Sequence, residues 1–249
     1  MASRSFSSKP RQSKSAALND IAQAFTLALK LILGGDRELF ETVKLSLAVS
    51  LSASVIAFLI GAPVGAFLAT QTFRARPALL VCLNALLGLP SVVVGLVVYL
   101  LLSRSGPLGS LGLLFTPQAM ILAQIILTLP IIAVMSHRAT ETYWTDYCDT
   151  FLIFGASRLR AVATLISAAR GALVTVFLAA FGRAIAEVGA IMMVGGNIRG
   201  FTRTMTTTIA LQTSRGELAL ALGLGLILIG LTLAISAAAF FLNRRISDY

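Results

Sequence analysis

Arg183 and Glu187 are the only charged residues in an otherwise apolar stretch from Gly171 to Val194. If that stretch is a helix, their spacing of four places them on one face, within reach of each other. If it also crosses a bilayer, a lone charge at its centre costs roughly 2.5–3.5 kcal/mol on insertion scales, which pairing reduces. Arginine before glutamate is the less favourable order on a helix, so helix stability is a poor reason for the pair. Two uses stay open. One is a buried ion pair that locks this helix to a neighbour. The other is a gate in which Arg183 meets a passing anion while Glu187 keeps the resting site neutral. Neither makes Glu187 a catalytic acid. Gly182, Ala186 and Ala190 form a small-residue row beside the pair, suited to close helix packing.

The second constellation is GGNIRGFTRT over 195–204. Gly195, Gly196 and Gly200 open backbone conformations closed to other residues. Asn197, Thr202 and Thr204 offer side-chain donors, and Arg199 and Arg203 add positive charge. Exposed amides in a Gly-rich turn can cradle an anion; the plainer alternative is a turn between helices with solvated arginines. Elsewhere the chain is poor in chemistry. It has no G-x-x-x-x-G-K-[ST], no G-x-S-x-G and no H-E-x-x-H, so neither a phosphate loop nor a hydrolase signature is present. Its single histidine, His137, adjoins Arg138 and suits an interfacial structural role. Cys82, in an apolar run, and Cys148, in a polar segment, make neither a disulfide framework nor a metal site. No catalytic residue and no metal ligand set is expected.

Composition tells what must position these residues. The chain has 249 residues, 57% hydrophobic and 12% charged, with a mean hydropathy of +0.90. Soluble domains run about 45–50% apolar and about 25% charged, which argues against a water-soluble protein and against disorder. Residues 45–73, 77–103, 105–136 and 218–243 carry no charge or histidine, and each is long enough to cross a bilayer as a helix. The stretch 171–194 is a fifth span. A weaker one, about 18–33, contains Asp20 and Lys30 and either spans or lies in the interface. The expectation is an all-α polytopic transmembrane helix bundle of about six spans, with a tail over 1–17 and one membrane domain over 18–249. The basic start, Arg4 to Lys14, lacks a cleavage site after its apolar stretch and reads as uncleaved.

The net charge of +10 sits mainly at the ends of apolar runs, which points to membrane topology and lipid contact rather than nucleic acid. With six spans and the N-terminus inside, the inner segments carry Arg4, Lys9, Arg11, Lys14, Arg74, Arg76, Arg138, Arg158, Arg160, Arg170, Arg244 and Arg245. The outer loops carry Arg37, Arg104, Arg199, Arg203 and Arg215. Twelve against five supports both termini inside a cell membrane. Gly61 and Gly65 form a GxxxG, read as close packing within one bundle.

The longest polar segment, 137–170, has a helical period: Tyr143, Tyr147, Phe151 and Phe154 fall at steps of four, four and three. Gly155 then breaks the helix. The segment is either an interfacial helix with anchoring aromatics or a helix that docks in a partner's groove. Here a family resemblance enters. Asp149-Thr-Phe-Leu-Ile-Phe-Gly155 resembles the coupling motif of ABC-importer permeases, E-A-A-x-x-x-G followed by I-x-L-P. Asp149 stands in the glutamate's place and Gly155 matches the glycine. Thr150 and Phe151 replace the alanines, and Leu165 to Ala168 replaces I-x-L-P.

Residues 182–208, GRAIAEVGAIMMVGGNIRGFTRTMTTT, resemble the R-A-x-x-E-x-G-A…G-N-I-x-G-x-T-x-T stretch of the molybdate, tungstate and sulfate permeases. MMVGGNIRG, the following IALQTSRGE and residues 34–50 are most similar to the tungstate-specific branch. The resemblance spans about residues 34–243 and implies a type I ABC importer permease for a tetrahedral oxyanion, tungstate first, molybdate or sulfate next. It implies coupling to the ATPase through Asp149, Phe151, Gly155 and Ala156. It places Arg183, Glu187, Gly195, Gly196, Asn197, Thr202 and Thr204 at the translocation pathway or gate. The implied partners are a second copy of the chain, a cytoplasmic ABC ATPase dimer that binds ATP and Mg, and an extracytoplasmic oxyanion-binding protein. The chain itself needs no cofactor. A membrane-embedded enzyme using Arg183 and Glu187, or a scaffold, are the alternatives from other classes.

Overall fold

The computed structural model describes residues 23–155 and 157–247. The tail 1–17, the start of the first apolar stretch, and Ala156 lie outside those residues. Every regular element among the described residues is helical. The order is α1 Gln23–Leu33, then α2 Arg37–Thr70, α3 Arg76–Leu86, α4 Ser91–Leu102, α5 Pro117–Ile153, α6 Arg158–Ala168, α7 Arg170–Ile185, α8 Gly189–Gly195, α9 Met205–Ser214 and α10 Leu218–Ser247.

Helix ends follow local chemistry. Asp36 caps α2, accepting from the Leu39 N–H at 2.9 Å. Pro117 opens α5, where a missing N–H is harmless. Thr204 and Thr207 cap each other's amides at the start of α9.

The span expectations hold in part. Helices α2, α5 and α10 are each long and apolar enough to cross a membrane. The expected span 77–103 is broken: α3 and α4 meet at 99° across Leu87–Pro90, where Gly88 and Pro90 interrupt the helix. Residues 105–116 are turns around a short 3₁₀ element, so the third span begins at Pro117. The polar segment 137–170 is not a separate loop, because α5 continues unbroken to Ile153. Nor is the fifth span one helix. Helices α6 and α7 are bent by 75°, and α7 stops at Ile185 before α8 begins. By length and composition the described chain has three spans, or up to five if each bent pair counts as one.

Helices α2 and α5 form the spine, and they run parallel. Ser50 meets Gln124, Gly61 meets Ile132, and Gly65 meets His137. A Cβ on Gly65 would stand 2.5 Å from the Ala133 carbonyl and 2.7 Å from the His137 nitrogen. The GxxxG therefore serves packing inside one chain, Gly65 against the α5 backbone and Gly61 against the Ile132 side chain. Two apolar cores lie along this spine. One gathers Val49, Val98, Met120, Ala123, Ile191 and Val194; the other gathers Ala57, Ala62, Ile132, Leu173, Val176 and Ala180. A polar layer separates them: Ser50 and Ser54 on α2, Gln124 and Thr128 on α5, then Arg183 and Glu187.

At the end of the bundle that carries the α5–α6 turn, Arg76 is a hub. Its Nε donates to the Leu68 carbonyl at 2.8 Å, and its Nη2 donates to Glu141 at 3.0 Å and lies 3.1 Å from His137 Nε2. Arg138 reaches Asn84 at 3.0 Å. Both ends of α3 are thus tied to one turn of α5, so α3 crosses α5 rather than running along it. His137 is 6% exposed and lies inside α5 as part of this hub.

Replacing Gly65 by alanine forces a methyl into backbone. Gly65→Ala should cost about 1–3 kcal/mol, as overpacking does, read as a lower Tm of the detergent-solubilised protein. Gly230→Ala, whose added Cβ meets nothing within 4 Å, should leave Tm unchanged.

Candidate functional site

Arg183 and Glu187 do pair, but not as two positions on one helix. Helix α7 ends at Ile185, and Glu187 lies in the break before α8. Arg183 Nη1 is 2.7 Å from Glu187 Oε2. The pair is lopsided: the Glu187 side chain is 3% exposed and that of Arg183 is 45% exposed. Glu187 Oε1 accepts from the Ala190 N–H at 3.2 Å, in the first turn of α8, and its carbonyl accepts from Thr206 Oγ1 at 2.8 Å. Its own N–H donates to the Ala184 carbonyl at 3.2 Å. One residue thus joins α7, α8 and α9, and answering each of its polar groups is what permits a buried carboxylate.

The expected small-residue row is split. Ala190 is buried against α4, Gly182 is half-buried, and Ala186 is exposed. Helix α4 lies beside α8, and the two start together. A Cβ on Gly189 would stand 2.7 Å from Val92, and one on Gly95 would stand 2.7 Å from Ala190.

The loop 195–204 closes on itself. Gly196 (φ 68°) and Asn197 (φ 51°) turn the chain sharply after α8. Thr202 Oγ1 donates to the Gly195 carbonyl and accepts from the Ile198 N–H at 3.0 Å. The amides of Phe201, Thr202 and Arg203 all donate to the Ile198 carbonyl. These groups are spoken for, so the loop is braced from within. Its arginines are also engaged. Glu38 on α2 accepts two bonds from Arg199, at 2.9 and 2.5 Å, and one from Arg203 at 3.5 Å. The Glu38 hydrogen bond raises the Arg199 pKa above its ordinary value. Thr204, 2% exposed, caps α9, and the next amide, Met205 N–H, donates to Ser46 Oγ at 2.8 Å.

At the opposite end, Asp149, Phe151 and Gly155 lie at the tip of α5. Gly155 has φ 60° and open space around it, so the break there is a backbone requirement rather than a tight fit. The aromatic stripe does not face one way. Tyr143 packs against the inner apolar core, and Phe151 stacks on Trp144 with centroids 5.9 Å apart. The exposed apolar surface is instead Ile153, Phe154 and Leu159, each at least 80% exposed. Asp149 is exposed beside them. Arg158 Nη1 ties α6 to the Gln71 side chain at 2.6 Å.

Sequence reasoning missed Gln124 and Thr206, which bond to the backbone around the break, and Ser46, which ties the start of α9 to α2. A glutamine inside a charge-free run and serines at steps of four along α2 were the available signals.

Residues 61–248 match the family model described as a binding-protein-dependent transport system inner membrane component. The chain is 37% identical over 222 residues to a tungstate uptake system permease protein of Peptoclostridium acidaminophilum, covering 89% of this chain and 97% of that one. It is 38% identical over 226 residues to a protein of the same description from Campylobacter jejuni, covering 91% and 92%. It is 40% identical over 204 residues to a probable anion ABC transporter permease protein of Haloferax volcanii, covering 80% and 88%. Among solved structures, a bacterial alginate ABC transporter in complex with its alginate-bound periplasmic protein shares the fold. The TM-score is 0.71 at 16% identity, covering 93% of this chain and 88% of that one.

The lopsided burial of the pair gives an asymmetric expectation. Arg183→Gln strands a buried carboxylate and should destabilise by up to about 3 kcal/mol. Glu187→Gln keeps an acceptor for the Ala190 N–H and strands only an arginine that reaches the surface, so it should cost about 1 kcal/mol or less. The double variant should regain most of the stability lost in Arg183→Gln. Thermal unfolding of the three purified variants reads the order directly.

Proposed function

The chain belongs to the family of binding-protein-dependent transport system inner membrane components, and from that premise we propose that it is the membrane-spanning subunit of an ATP-driven importer for tungstate. Molybdate and then sulfate are the alternative cargoes. The chain is a transport subunit of a multi-pass membrane assembly rather than an enzyme, and ATP hydrolysis belongs to a separate subunit. We place both termini inside the cell, ATP and Mg on a cytoplasmic ATPase dimer, and a second copy of the chain beside the first. An extracytoplasmic binding protein supplies the oxyanion.

The observation that carries the pathway is the exposed face of α7. It consists of Arg170, Ala172, Thr175, Ala179 and Arg183, with exposed Ala186 just past the helix end. The exposed faces of α2, α4 and α10 carry large apolar residues such as Leu59, Val97, Leu100 and Leu233. Those faces suit lipid; a small, hydroxyl-bearing face with an arginine at each end suits a wet passage or a second protein surface. A tetrahedral dianion moving along α7 meets Arg183, whose charge Glu187 offsets at rest. The loop 195–204, pinned to α2 through Glu38, stands beyond it as the outer closure. Ile153, Phe154 and Leu159 offer the apolar knob that an ATPase groove covers.

Proteoliposomes holding the complete transporter and its binding protein should take up tungstate in an ATP-dependent way. Excess molybdate should compete, while sugars and amino acids should not. Uptake of a sugar or amino acid with no response to tungstate or molybdate overturns the substrate assignment.

The coupling turn has its own expectation. Phe154→Asp combined with Leu159→Asp removes only exposed apolar surface, so the permease should fold normally yet lose most ATPase binding in co-purification. Gly155→Leu should act likewise through φ strain of about 1–2 kcal/mol. Undiminished ATPase recovery from both variants counts against the docking assignment.

A further inference from the structure

Gln124 is fully buried in the polar layer, and its amide is placed with unusual economy. Nε2 donates to the Ala184 carbonyl at 2.8 Å and to Ser50 Oγ at 3.4 Å. Oε1 has no partner within the structure. A buried amide with an unanswered oxygen is a poor choice for stability alone, since an apolar side chain of the same shape avoids the desolvation penalty. What the amide does grip is informative. The Ala184 carbonyl also accepts the Glu187 N–H, and a carbonyl has two lone pairs to share. Gln124 therefore holds the peptide group that positions Glu187, and with it the Arg183–Glu187 pair.

The same helix reaches the other end of the protein. Helix α5 is continuous from Pro117 to Ile153. The 29 residues between Gln124 and Ile153 span about 44 Å at 1.5 Å each. Ile153 begins the exposed apolar tip. One continuous helix, with Pro130 inside it, thus carries the ATPase-facing turn at one end and a grip on the α7–α8 break at the other. Around the break, the backbone is secured to α5 through this amide and to α9 through Thr206.

Resting on the transport reading above, we propose that Gln124 is a positioning residue for coupling: through it, displacement of α5 by the ATPase moves the α7–α8 break and reorients Arg183 and Glu187. Thr128, one turn along α5 and equally buried, bonds only to its own helix, to the Gln124 carbonyl at 2.8 Å. It is therefore the control.

The test uses the complete transporter in proteoliposomes, with Cys82 and Cys148 replaced by serine and a cysteine introduced by Ala186→Cys, beside the break. Its labelling rate by a soluble maleimide is measured with and without ATP and vanadate, together with tungstate uptake and ATP hydrolysis. In the reference transporter the rate should differ between the two conditions by at least about fivefold, the lower end of ordinary coupling. Gln124→Met, close in volume but without the amide, should abolish that difference and the uptake while Tm and basal ATP hydrolysis stay unchanged. Thr128→Val should behave as the reference. A nucleotide-dependent difference that survives Gln124→Met, or that is missing from the reference, overturns the proposal. So does a parallel fall in Tm, hydrolysis and uptake, which marks a merely structural role. Failure of the reference to take up tungstate overturns the cargo assignment instead, and the labelling comparison stands apart from it.

Discussion

A carboxylate between two apolar cores is stable only when each of its polar groups is answered, and Glu187 sets that requirement for its surroundings. Its two oxygens need Arg183 and the first turn of α8; its carbonyl needs Thr206; its N–H needs the Ala184 carbonyl. Meeting these demands ends α7, starts α8, and brings in α9. A continuous helix would offer none of these backbone groups, since they would be taken by its own ladder. The break is therefore the structural counterpart of the charge, and the polar layer of Ser50, Gln124 and Thr128 is the setting in which both can exist.

The polarity of the faces then follows. Helix α10 has only 17% of its apolar window buried within the chain and presents leucine and phenylalanine outward, as a lipid-facing helix does. The exposed side of α7 presents alanine, threonine and two arginines. The two exposed faces thus differ in side-chain size and in charge.

Much of this was legible in the sequence, though not always for the right reason. The i, i+4 spacing found the Arg183–Glu187 pair, yet the two residues meet across a helix end instead of along a helix face. Gly155 was read as a break and has a positive φ. The GxxxG was read as packing within the chain, and Gly61 and Gly65 pack on α5. Charge-free runs located the apolar segments but not their continuity, because hydropathy is blind to the bend at Gly88–Pro90 and to the end of α7. The amides of 195–204 looked free because sequence does not say which hydrogen bonds a turn makes to itself. Gln124 escaped notice because a single neutral amide scarcely changes the mean apolarity of its run; its importance lies in a contact 60 residues away.

The backbone-to-backbone seam between α2 and α5 has a kinematic consequence. At Gly65 the α2 backbone lies directly on that of α5, and at Gly61 it lies on the Ile132 side chain, so sliding of one helix past the other is sterically opposed over this stretch. Bending falls more readily where the helical ladder is already interrupted, as at 87–90 and 186–188. Those two interruptions touch each other through Val92 and Gly189. Two breaks far apart in the sequence thus meet at one joint beside α5, where a sequence of separate spans would suggest independent hinges.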